Sequence, residues 1–203
     1  MDSSKTGRGG SPPTCGPREP SAGSVAVAER DLPPPGTPPD RRGTGAPGPE
    51  TRPAPDIRIR DMRAMDLPQV LDIEAASFAT PWSSRTFLNL LRRPNAALFV
   101  AEDSTRRVLG YAVVWFAGPE GELGDVAVRT ERRRVGIGSA LVERVLAEAS
   151  ERGATEVYLE VRESNESARR LYARLGFEVV GRRASYYADP VEDALLMKVS
   201  VVR

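Results

Sequence analysis

Apolar and polar residues follow patterns that predict a regular succession of strands and helices from residue 57 onward. Residues 57–60 alternate and predict a first strand. Two helices should follow, one starting at Asp66 and one capped by Ser83 or Ser84. Three apolar runs separated by turn sequences then predict a meander of antiparallel strands over residues 97–102, 108–116 and 123–128.

The pattern continues with a helix, a strand, a second helix and two final strands. The first of these helices carries apolar side chains at helical spacing, namely Ile137, Ala140, Leu141, Val145, Leu146 and Ala149. Residues 156–162 alternate strictly, so this helix should connect two parallel strands. A helix from Asn165 to Gly176 and strands over residues 177–181 and 194–201 complete the order βααβββαβαββ. This order predicts an α/β (α+β) fold, with a mixed, mostly antiparallel sheet flanked by helices.

Composition divides the chain into a tail and one domain. Residues 1–55 hold 13 of the 18 prolines, 9 of the 18 glycines and none of the aromatic residues. Such a segment cannot bury enough apolar surface to offset its chain entropy. We therefore predict a disordered tail over residues 1–55, whose role stays open, and a single domain over residues 56–203.

Residue usage excludes several classes of function. The chain has no histidine, and its only cysteine is Cys15 in the tail. A Ser-His-Asp triad and histidine or cysteine metal sites are therefore excluded, and no metal is expected. Residues 56–203 contain 22 acidic and 22 basic residues, which argues against direct nucleic-acid binding. No apolar run approaches the ~20 residues of a membrane span, so we expect no membrane partner and a cytoplasmic location.

A basic, glycine-punctuated turn precedes the predicted helix at Ile137. Gly136 and Gly138 lack side chains, so backbone N–H groups can approach a ligand closely there. The N-terminus of a helix carries partial positive charge and unpaired donors, which favour an anion. The spacing fits neither the GxxxxGK[ST] phosphate loop nor the GxGxxG dinucleotide fingerprint.

Residues 133–138, RRVGIG, resemble the [QR]xxGx[GA] loop of the GCN5-related N-acetyltransferase (GNAT) superfamily. The resemblance implies that acetyl-CoA is the co-substrate and that its pyrophosphate is held by Arg134, Val135, Gly136, Ile137, Gly138 and Ser139. It also implies that the preceding strand, through Val126, Ala127 and Val128, pairs with the pantetheine amides and can direct an N–H at the thioester oxygen. The residues themselves show a buried strand, and they could serve core packing alone or both purposes.

Two residues carry the chemistry that acetyl transfer to an amine requires, a base for the amine and an acid for the thiolate. Glu160, on the polar face of its strand, could be the base, directly or through water; a solvated or arginine-paired glutamate is the alternative. Tyr172, on the apolar stripe of the next helix, could be the acid, or a core tyrosine. Asn165 could contact the cofactor or simply cap its helix.

Several separated motifs resemble the bacterial RimI family of ribosomal-protein alanine N-acetyltransferases. They are LEVRESN at 159–165, LYARLGF at 171–177, Arg183 with Tyr186-Tyr187, Glu192-Asp193-Ala194, and Pro81-Trp82-Ser83. The resemblance covers residues 57–200 and implies that Glu160 is the base, Tyr172 the acid and Asn165 an acetyl-CoA contact. It implies that the acceptor is the N-terminal alanine of a small-subunit ribosomal protein.

Two other interpretations stay open, a small-amine acetyltransferase and a non-catalytic acetyl-CoA-binding module. The first is disfavoured because the RxxYY and EDA features belong to the peptide-directed branch, and the second because Glu160 and Tyr172 are both present. The acceptor should enter between residues 78–83 and 186–190. The aromatic residues Trp82, Tyr186 and Tyr187 could shape that path or cover the end of the sheet. The oligomeric state and the breadth of peptides accepted stay open.

Overall fold

The computed structural model describes residues 57–201, and the predicted tail over residues 1–55 lies outside the described residues. Within that range, the strands and helices follow the predicted order βααβββαβαββ, which confirms the predicted fold class. The strands are β1 (Arg58–Asp61), β2 (Ala96–Glu102), β3 (Val108–Ala117), β4 (Glu120–Val128), β5 (Glu156–Arg162), β6 (Glu178–Ala188) and β7 (Val191–Ser200). The helices are α1 (Leu67–Ser77), α2 (Ser84–Leu91), α3 (Ile137–Glu151) and α4 (Glu166–Arg174).

The strands form one sheet in the order β1-β2-β3-β4-β5-β7-β6. β1 to β4 make the predicted antiparallel meander, and β7 pairs antiparallel with both β5 and β6. β4 and β5 are parallel, as the intervening helix α3 requires. The predicted meander and the predicted parallel crossover are therefore both confirmed.

Side chains that alternate along the strands belong to two apolar cores, one on each face of the sheet. In β2, Phe99 belongs to the core under α3 and α4, and Val100 belongs to the core under α1 and α2. The first core contains the helix residues Ile137, Leu141, Val142, Val145, Ala149, Ala168 and Tyr172. The second contains Leu67, Val70, Ile73, Phe87 and Leu90. The sheet is thus covered by helices on both faces, as the sequence predicted.

The buried stripe of α3 differs from the predicted one in its members. Val142, absent from the predicted stripe, is fully buried, whereas Ala140 and Leu146 are only half-buried. The helix packs across β2, β3 and β4, and a helix that covers so broad a surface buries an arc of more than 100°.

The predicted side-chain caps form at two of three helix starts. Ser83 caps α2 by accepting the Thr86 N–H at 3.2 Å, and Asn165 caps α4 by accepting the Ala168 N–H at 3.1 Å. Asp66 precedes α1 but makes no side-chain cap. Its carboxylate instead lies 2.7 Å from the Arg60 guanidinium, which holds the pKa of Asp66 below its usual range. A charged partner from β1 therefore takes the oxygens that a cap would use.

The hairpin turns are tighter than predicted. Ala117 pairs with Glu120, so only Gly118 and Pro119 form the turn between β3 and β4, and Gly118 adopts a φ of 58° there. In the same way Ala188 pairs with Val191, and β6 continues to Ala188, beyond the strand predicted over residues 177–181.

Parallel pairing between β4 and β5 stops early. Only residues 120–122 pair with residues 156–158, although β4 continues to Val128 and β5 to Arg162. From there the two strands share no ladder, and a cleft opens between them toward their carboxyl ends. β3 remains paired with β4, and β7 with β5, along the whole of this length.

Lys198 lies on β7 beside the first residues of β5, at the opposite end of the sheet from the cleft. It is the only lysine after residue 55. Its Nζ lies 2.7 Å from Glu156 Oε1, and the Tyr158 hydroxyl donates to Glu156 Oε2 at 2.5 Å. The hydrogen bond with Glu156 raises the pKa of Lys198. Among residues 57–201, no helix combines the length and apolarity that a membrane span needs.

Candidate active site

The cleft presents the free backbone edge of β4. Arg129 N–H donates to Leu109 O at 2.8 Å, on the β3 side. Because successive residues of a strand direct their backbone groups to opposite edges, Ala127 faces β3 while Val126 and Val128 face the cleft. All three side chains from Val126 to Val128 are buried in the cores. Core packing by the side chains and an available backbone edge therefore coexist in this strand.

The anion loop, residues 133–139, follows β4 at the mouth of the cleft. Arg134 and Gly136 have φ angles of 63° and 90°, which turn the backbone sharply before α3 begins. The first intrahelical bond of α3 runs from the Ala140 N–H to Gly136 O, so the N–H groups of residues 136–139 have no acceptor within the helix. A Cβ placed on Gly136 would meet no atom within 4 Å, so the glycine is required by its φ and not by crowding. Unpaired donors at a helix N-terminus fit a pyrophosphate.

Arg133 fixes the position of the anion loop. Its Nε donates to Val128 O at 2.9 Å, and its guanidinium contacts Ser77 Oγ at 3.3 Å. Burial lowers the pKa of Arg133. The loop is thereby tied both to the end of β4 and to the end of α1.

The side chains of the anion loop differ in their surroundings. Arg134 and Val135 are exposed, Ser139 is half-buried, and Ile137 is buried in the core below α3. A Cβ on Gly138 would lie 3.1 Å from Leu171 Cδ1, so this glycine lets α3 begin close to α4. Ile137 and Gly138 can therefore reach a ligand only through their backbone.

Glu160 is a buried carboxylate that is paired with arginine. It is 8% exposed, and its Oε1 lies 3.0 Å from an Arg183 guanidinium nitrogen. Ala194 of β7 pairs with Arg162 on one side and Arg183 on the other, and Glu160 is two residues from Arg162 on the same face of β5. The Arg183 side chain therefore reaches across β7, over the small Ala194. This pairing gives the buried Glu160 carboxylate a positively charged partner.

Tyr172 is buried on the inner face of α4. It is 1% exposed, and its ring packs edge-on against Phe177 with centroids 5.5 Å apart. Its hydroxyl has no hydrogen-bond partner among the described residues. Burial, followed by the influence of Tyr187 and Asp125, raises the pKa of Tyr172 well above its ordinary value. A buried hydroxyl without a partner is costly, and one facing a ligand atom would gain the missing hydrogen bond.

A set of interlinked side chains from β5, β6 and β7 borders the cleft opposite the anion loop. This acceptor wall consists of Glu160, Arg162, Arg183, Tyr187 and Glu192. Arg162 stacks over the Tyr187 ring at 4.1 Å, binds Glu192 at 3.1 Å and donates to Asp189 O at 2.7 Å. Burial raises the pKa of Tyr187, with Glu160 among the further contributors. Tyr187 thus lies within electrostatic reach of both Glu160 and Tyr172.

The remaining predicted residues have visible structural roles. Asn165 uses its Oδ1 for the cap of α4, and a contact with the cofactor stays a prediction. The Trp82 ring packs on Phe87 and Trp115 with centroids 5.6 and 6.4 Å away. Tyr186 packs edge-on against Tyr187 at 5.1 Å. In the described part of the chain, no group of three or more acidic, histidine or cysteine side chains could hold a metal ion.

Sequence reasoning missed two buried carboxylates near this cleft. Asp125 lies on β4 with no exposed surface, and Glu74 lies on α1 with 1% exposed. A lone acidic residue inside the apolar run LGDVAV was a signal for Asp125. Arg183 was noticed only as part of a motif, because its contact with Glu160 spans two strands that are distant in sequence.

The fold and the cleft define a class of enzyme, and comparison with known proteins agrees. Residues 67–177 match the Acetyltransferase (GNAT) family. The solved structure of the ribosomal-protein-S18-alanine N-acetyltransferase from Escherichia coli has a TM-score of 0.67 and 32% identity, with 72% of this chain and 95% of that chain covered. Ard1 from Thermoplasma volcanium also gives a TM-score of 0.67, at 28% identity, with 73% and 99% covered. The chain belongs to the GNAT family and is an acyltransferase.

The branch within that family follows from the curated relatives. The [ribosomal protein bS18]-alanine N-acetyltransferase of Escherichia coli (strain K12) is 32% identical over 145 residues, with 70% of this chain and 97% of the relative covered. A Bacillus subtilis (strain 168) protein that carries the same name provisionally is 35% identical over 144 residues, with 70% and 95% covered. These relatives confirm the predicted membership of the RimI family.

Proposed function

We propose that the protein transfers the acetyl group of acetyl-CoA to the N-terminal α-amine of a protein, the terminal alanine of a small-subunit ribosomal protein being the favoured acceptor. The observation that carries the proposal is that Glu160, a buried carboxylate, and Tyr172, a buried tyrosine whose hydroxyl has no partner among the described residues, both lie within electrostatic reach of Tyr187. The names of relatives that are matched over 95% and 97% of their own length support the choice of acceptor.

Acetyl-CoA, when bound, supplies an acetyl group as a thioester. The anion loop would bind the pyrophosphate through the N–H groups of residues 134–139, and the cleft-facing groups of Val126 and Val128 would pair with the pantetheine amides. One of these backbone N–H groups would donate to the thioester oxygen as negative charge develops there. Asn165 would add a polar contact from the start of α4.

Glu160 would accept a proton from the α-ammonium group of the acceptor, directly or through a water. An α-amine has a pKa of about 7.7–8.0, against about 10.4 for lysine, so one carboxylate suffices near neutral pH. Tyr172 would donate its proton to the sulfur as the carbon–sulfur bond breaks. Its raised pKa is consistent with a phenol that stays protonated until then.

The acceptor peptide would enter between the α1–α2 loop, residues 78–83, and the turn between β6 and β7. Trp82 lies on the first of these segments, and Tyr186 and Tyr187 lie beside the second. The free amine would then reach Glu160 from the face of the sheet that carries α1 and α2, because Glu160 points away from the core under α3.

A thiol-release assay with acetyl-CoA tests this proposal. We would offer a peptide beginning Ala-Arg, the same peptide with a blocked N-terminus and an internal lysine, and a polyamine. Release with the free N-terminus alone supports the proposal. Release with the polyamine alone would instead indicate a small-amine acetyltransferase. Binding of acetyl-CoA with no release from any acceptor would indicate a non-catalytic acetyl-CoA-binding module.

A further inference from the structure

Glu74 is a buried carboxylate for which the mechanism has no use. It lies on α1, 1% exposed, at the surface where α1 packs on β3 and β4. Burial raises the pKa of Glu74. A carboxyl group in such a place is unfavourable unless it is hydrogen-bonded, and an apolar side chain would cover the sheet at lower cost.

The two partners of Glu74 come from different parts of the molecule. Its Oε1 accepts the backbone N–H of Trp82 at 2.6 Å, and its Oε2 accepts a hydrogen bond from the Tyr111 hydroxyl. Trp82 lies in the α1–α2 loop, whereas Tyr111 lies on β3 directly opposite Ala127 of β4. One carboxylate therefore connects this loop to β3, the strand that pairs with β4 beside the cleft.

The position of the Trp82 ring depends on the hydrogen bond between its backbone N–H and Glu74. The ring packs on Phe87 of α2 and Trp115 of β3, and Phe87 in turn packs edge-on against Tyr111 at 5.6 Å. Glu74 thus holds the loop backbone while the aromatic rings hold the side chain. The beginning of the loop is held from the other side, because the Ser77 hydroxyl contacts Arg133 of the anion loop.

We propose that Glu74 is a positioning residue. It holds the α1–α2 loop, including Trp82, in the position that the loop needs where the acceptor enters the cleft. The inference rests on the proposed function, because the loop is assigned to the acceptor path there. A loop N–H could be satisfied by water, so its capture by a buried anion fixes the loop relative to β4. Glu74 acts on the acceptor only through this loop and does not touch the reacting atoms.

Fluorescence tests the attachment independently of any acceptor. The chain has two tryptophans, so a Trp115→Phe background leaves Trp82 as the only emitter. In that background Glu74→Ala should increase acrylamide quenching of Trp82, because the loop loses its anchor. Glu74→Gln should restore protection, because the amide oxygen can accept the Trp82 N–H and the amide nitrogen can donate to Tyr111. Asp66→Ala is the control, since it removes another buried carboxylate near the other end of α1.

Kinetics test the consequence for the acceptor. In the native tryptophan background, Glu74→Ala should raise the KM for the Ala-Arg peptide about tenfold while the Kd for acetyl-CoA stays unchanged. Asp66→Ala should lower the Tm without moving either constant. Unchanged quenching and an unchanged peptide KM in folded Glu74→Ala would overturn the proposal, leaving Glu74 a purely structural residue.

A second variant and the acceptor-independent fluorescence readout keep the proposal testable. Should Glu74→Ala fail to fold, Tyr111→Phe replaces it, because this change removes one of the two partners that hold the carboxylate in place. It should raise both quenching and the peptide KM by a smaller factor, and no change in either would overturn the proposal. If the proposed function fails, no acceptor peptide is acetylated by the wild-type protein, yet the quenching difference between Glu74→Ala and Asp66→Ala persists.

Discussion

The anion loop and the acceptor wall face one another across the cleft, and they are built from different groups. The anion loop offers backbone N–H groups shaped by two residues with positive φ, Arg134 and Gly136. The acceptor wall offers side chains joined by ion pairs and stacking, such as Arg183 on Glu160 and Arg162 on Tyr187. Backbone N–H donors would suit the pyrophosphate of acetyl-CoA, which is the same in every catalytic cycle. Side chains can differ in charge and shape, so they would suit recognition of one particular acceptor.

This difference predicts how the two regions respond to substitution. Changing a side chain in the anion loop leaves its donors in place unless the backbone itself is strained. Changing a side chain in the acceptor wall leaves a buried charge without its partner. Substitutions in the anion loop should therefore change the affinity for acetyl-CoA. Substitutions in the acceptor wall should change turnover or the use of the acceptor.

The largest effect is expected at Tyr172, the proposed acid. Tyr172→Phe should lower turnover about 10²- to 10³-fold while the Kd for acetyl-CoA is retained, because the proton donor is lost and the packing is kept. The Tm should stay equal or rise, since the deleted hydroxyl has no partner among the described residues.

Tyr111→Phe is the matched control for Tyr172→Phe. It also removes a buried hydroxyl, but one that hydrogen-bonds Glu74, so it should lower the Tm. Calorimetry and thiol release measure the two quantities. Unchanged turnover in Tyr172→Phe would remove this residue from the acid role.

The next effect is expected within the acceptor wall. Glu160→Gln should lower kcat/KM for the Ala-Arg peptide about 10²-fold at pH 6, and by less at pH 9, where more of the amine is already free. Glu163→Gln is the control, because Glu163 lies three residues further along the chain and pairs with the exposed Arg182. A pH–rate profile that is lowered by one factor throughout would contradict the assignment of the base.

A smaller effect should separate the anion loop from the wall. Gly136→Ala places a Cβ on a residue with a φ of 90°. The resulting strain of about 1–3 kcal/mol should weaken acetyl-CoA binding by about tenfold, with little change in the peptide KM. Gly118→Ala introduces comparable strain in the turn before β4, where φ is 58°. Titration calorimetry should show a weaker Kd for the first variant only, and equal Kd values would contradict the role of the loop.

The smallest effect concerns how stability depends on pH. Such a dependence is expected for the acceptor wall, which is held by charged side chains, and not for the anion loop, which offers backbone groups. Although burial opposes it, hydrogen bonds from Ser164 and Arg162 hold the pKa of Glu192 below its usual range. A carboxyl group whose pKa is lowered by folding stabilises the fold above its unfolded pKa of about 4.3, and loses this contribution as pH falls through the folded pKa. The contribution should therefore be present at pH 7.

Glu192→Gln removes this contribution. Its Tm should lie below that of the wild type at pH 7, and the difference should shrink as the pH is lowered through the carboxyl range. Glu166→Gln, which breaks an exposed pair with Arg170, should show almost no difference at either pH. Thermal scans at a series of pH values measure both. A difference for Glu192→Gln that widens toward acid would show that the sign is wrong.

Local sequence was sufficient for the features that depend on spacing. The order of elements, the Ser83 cap and the glycine turn before α3 follow from periodicity and from the chemistry of helix ends, and the structure confirms them. Glu160 and Tyr172 were found because strand alternation and a helical stripe mark their faces. Their assignment to catalysis stays a prediction.

Features that depend on register could not be predicted from local sequence. The pairing of Arg183 with Glu160 requires that Ala194 lie between them, and this depends on how three strands align. Asp66 was expected to cap α1, but Arg60, which β1 brings near it, takes its carboxylate. The contact of Glu74 with the Trp82 N–H likewise depends on how the α1–α2 loop folds back over eight residues.

The scarcity of lysine has a consequence for a protein that handles a reactive thioester. A lysine amine that loses its proton is itself a nucleophile, whereas an arginine guanidinium stays protonated at neutral pH. After residue 55 the chain carries its positive charge on arginine, with Lys198 as the exception. That lysine is held as an ammonium ion by Glu156, which raises its pKa, at the end of the sheet away from the cleft. We therefore expect little self-acetylation of the domain, because it has few amines of its own.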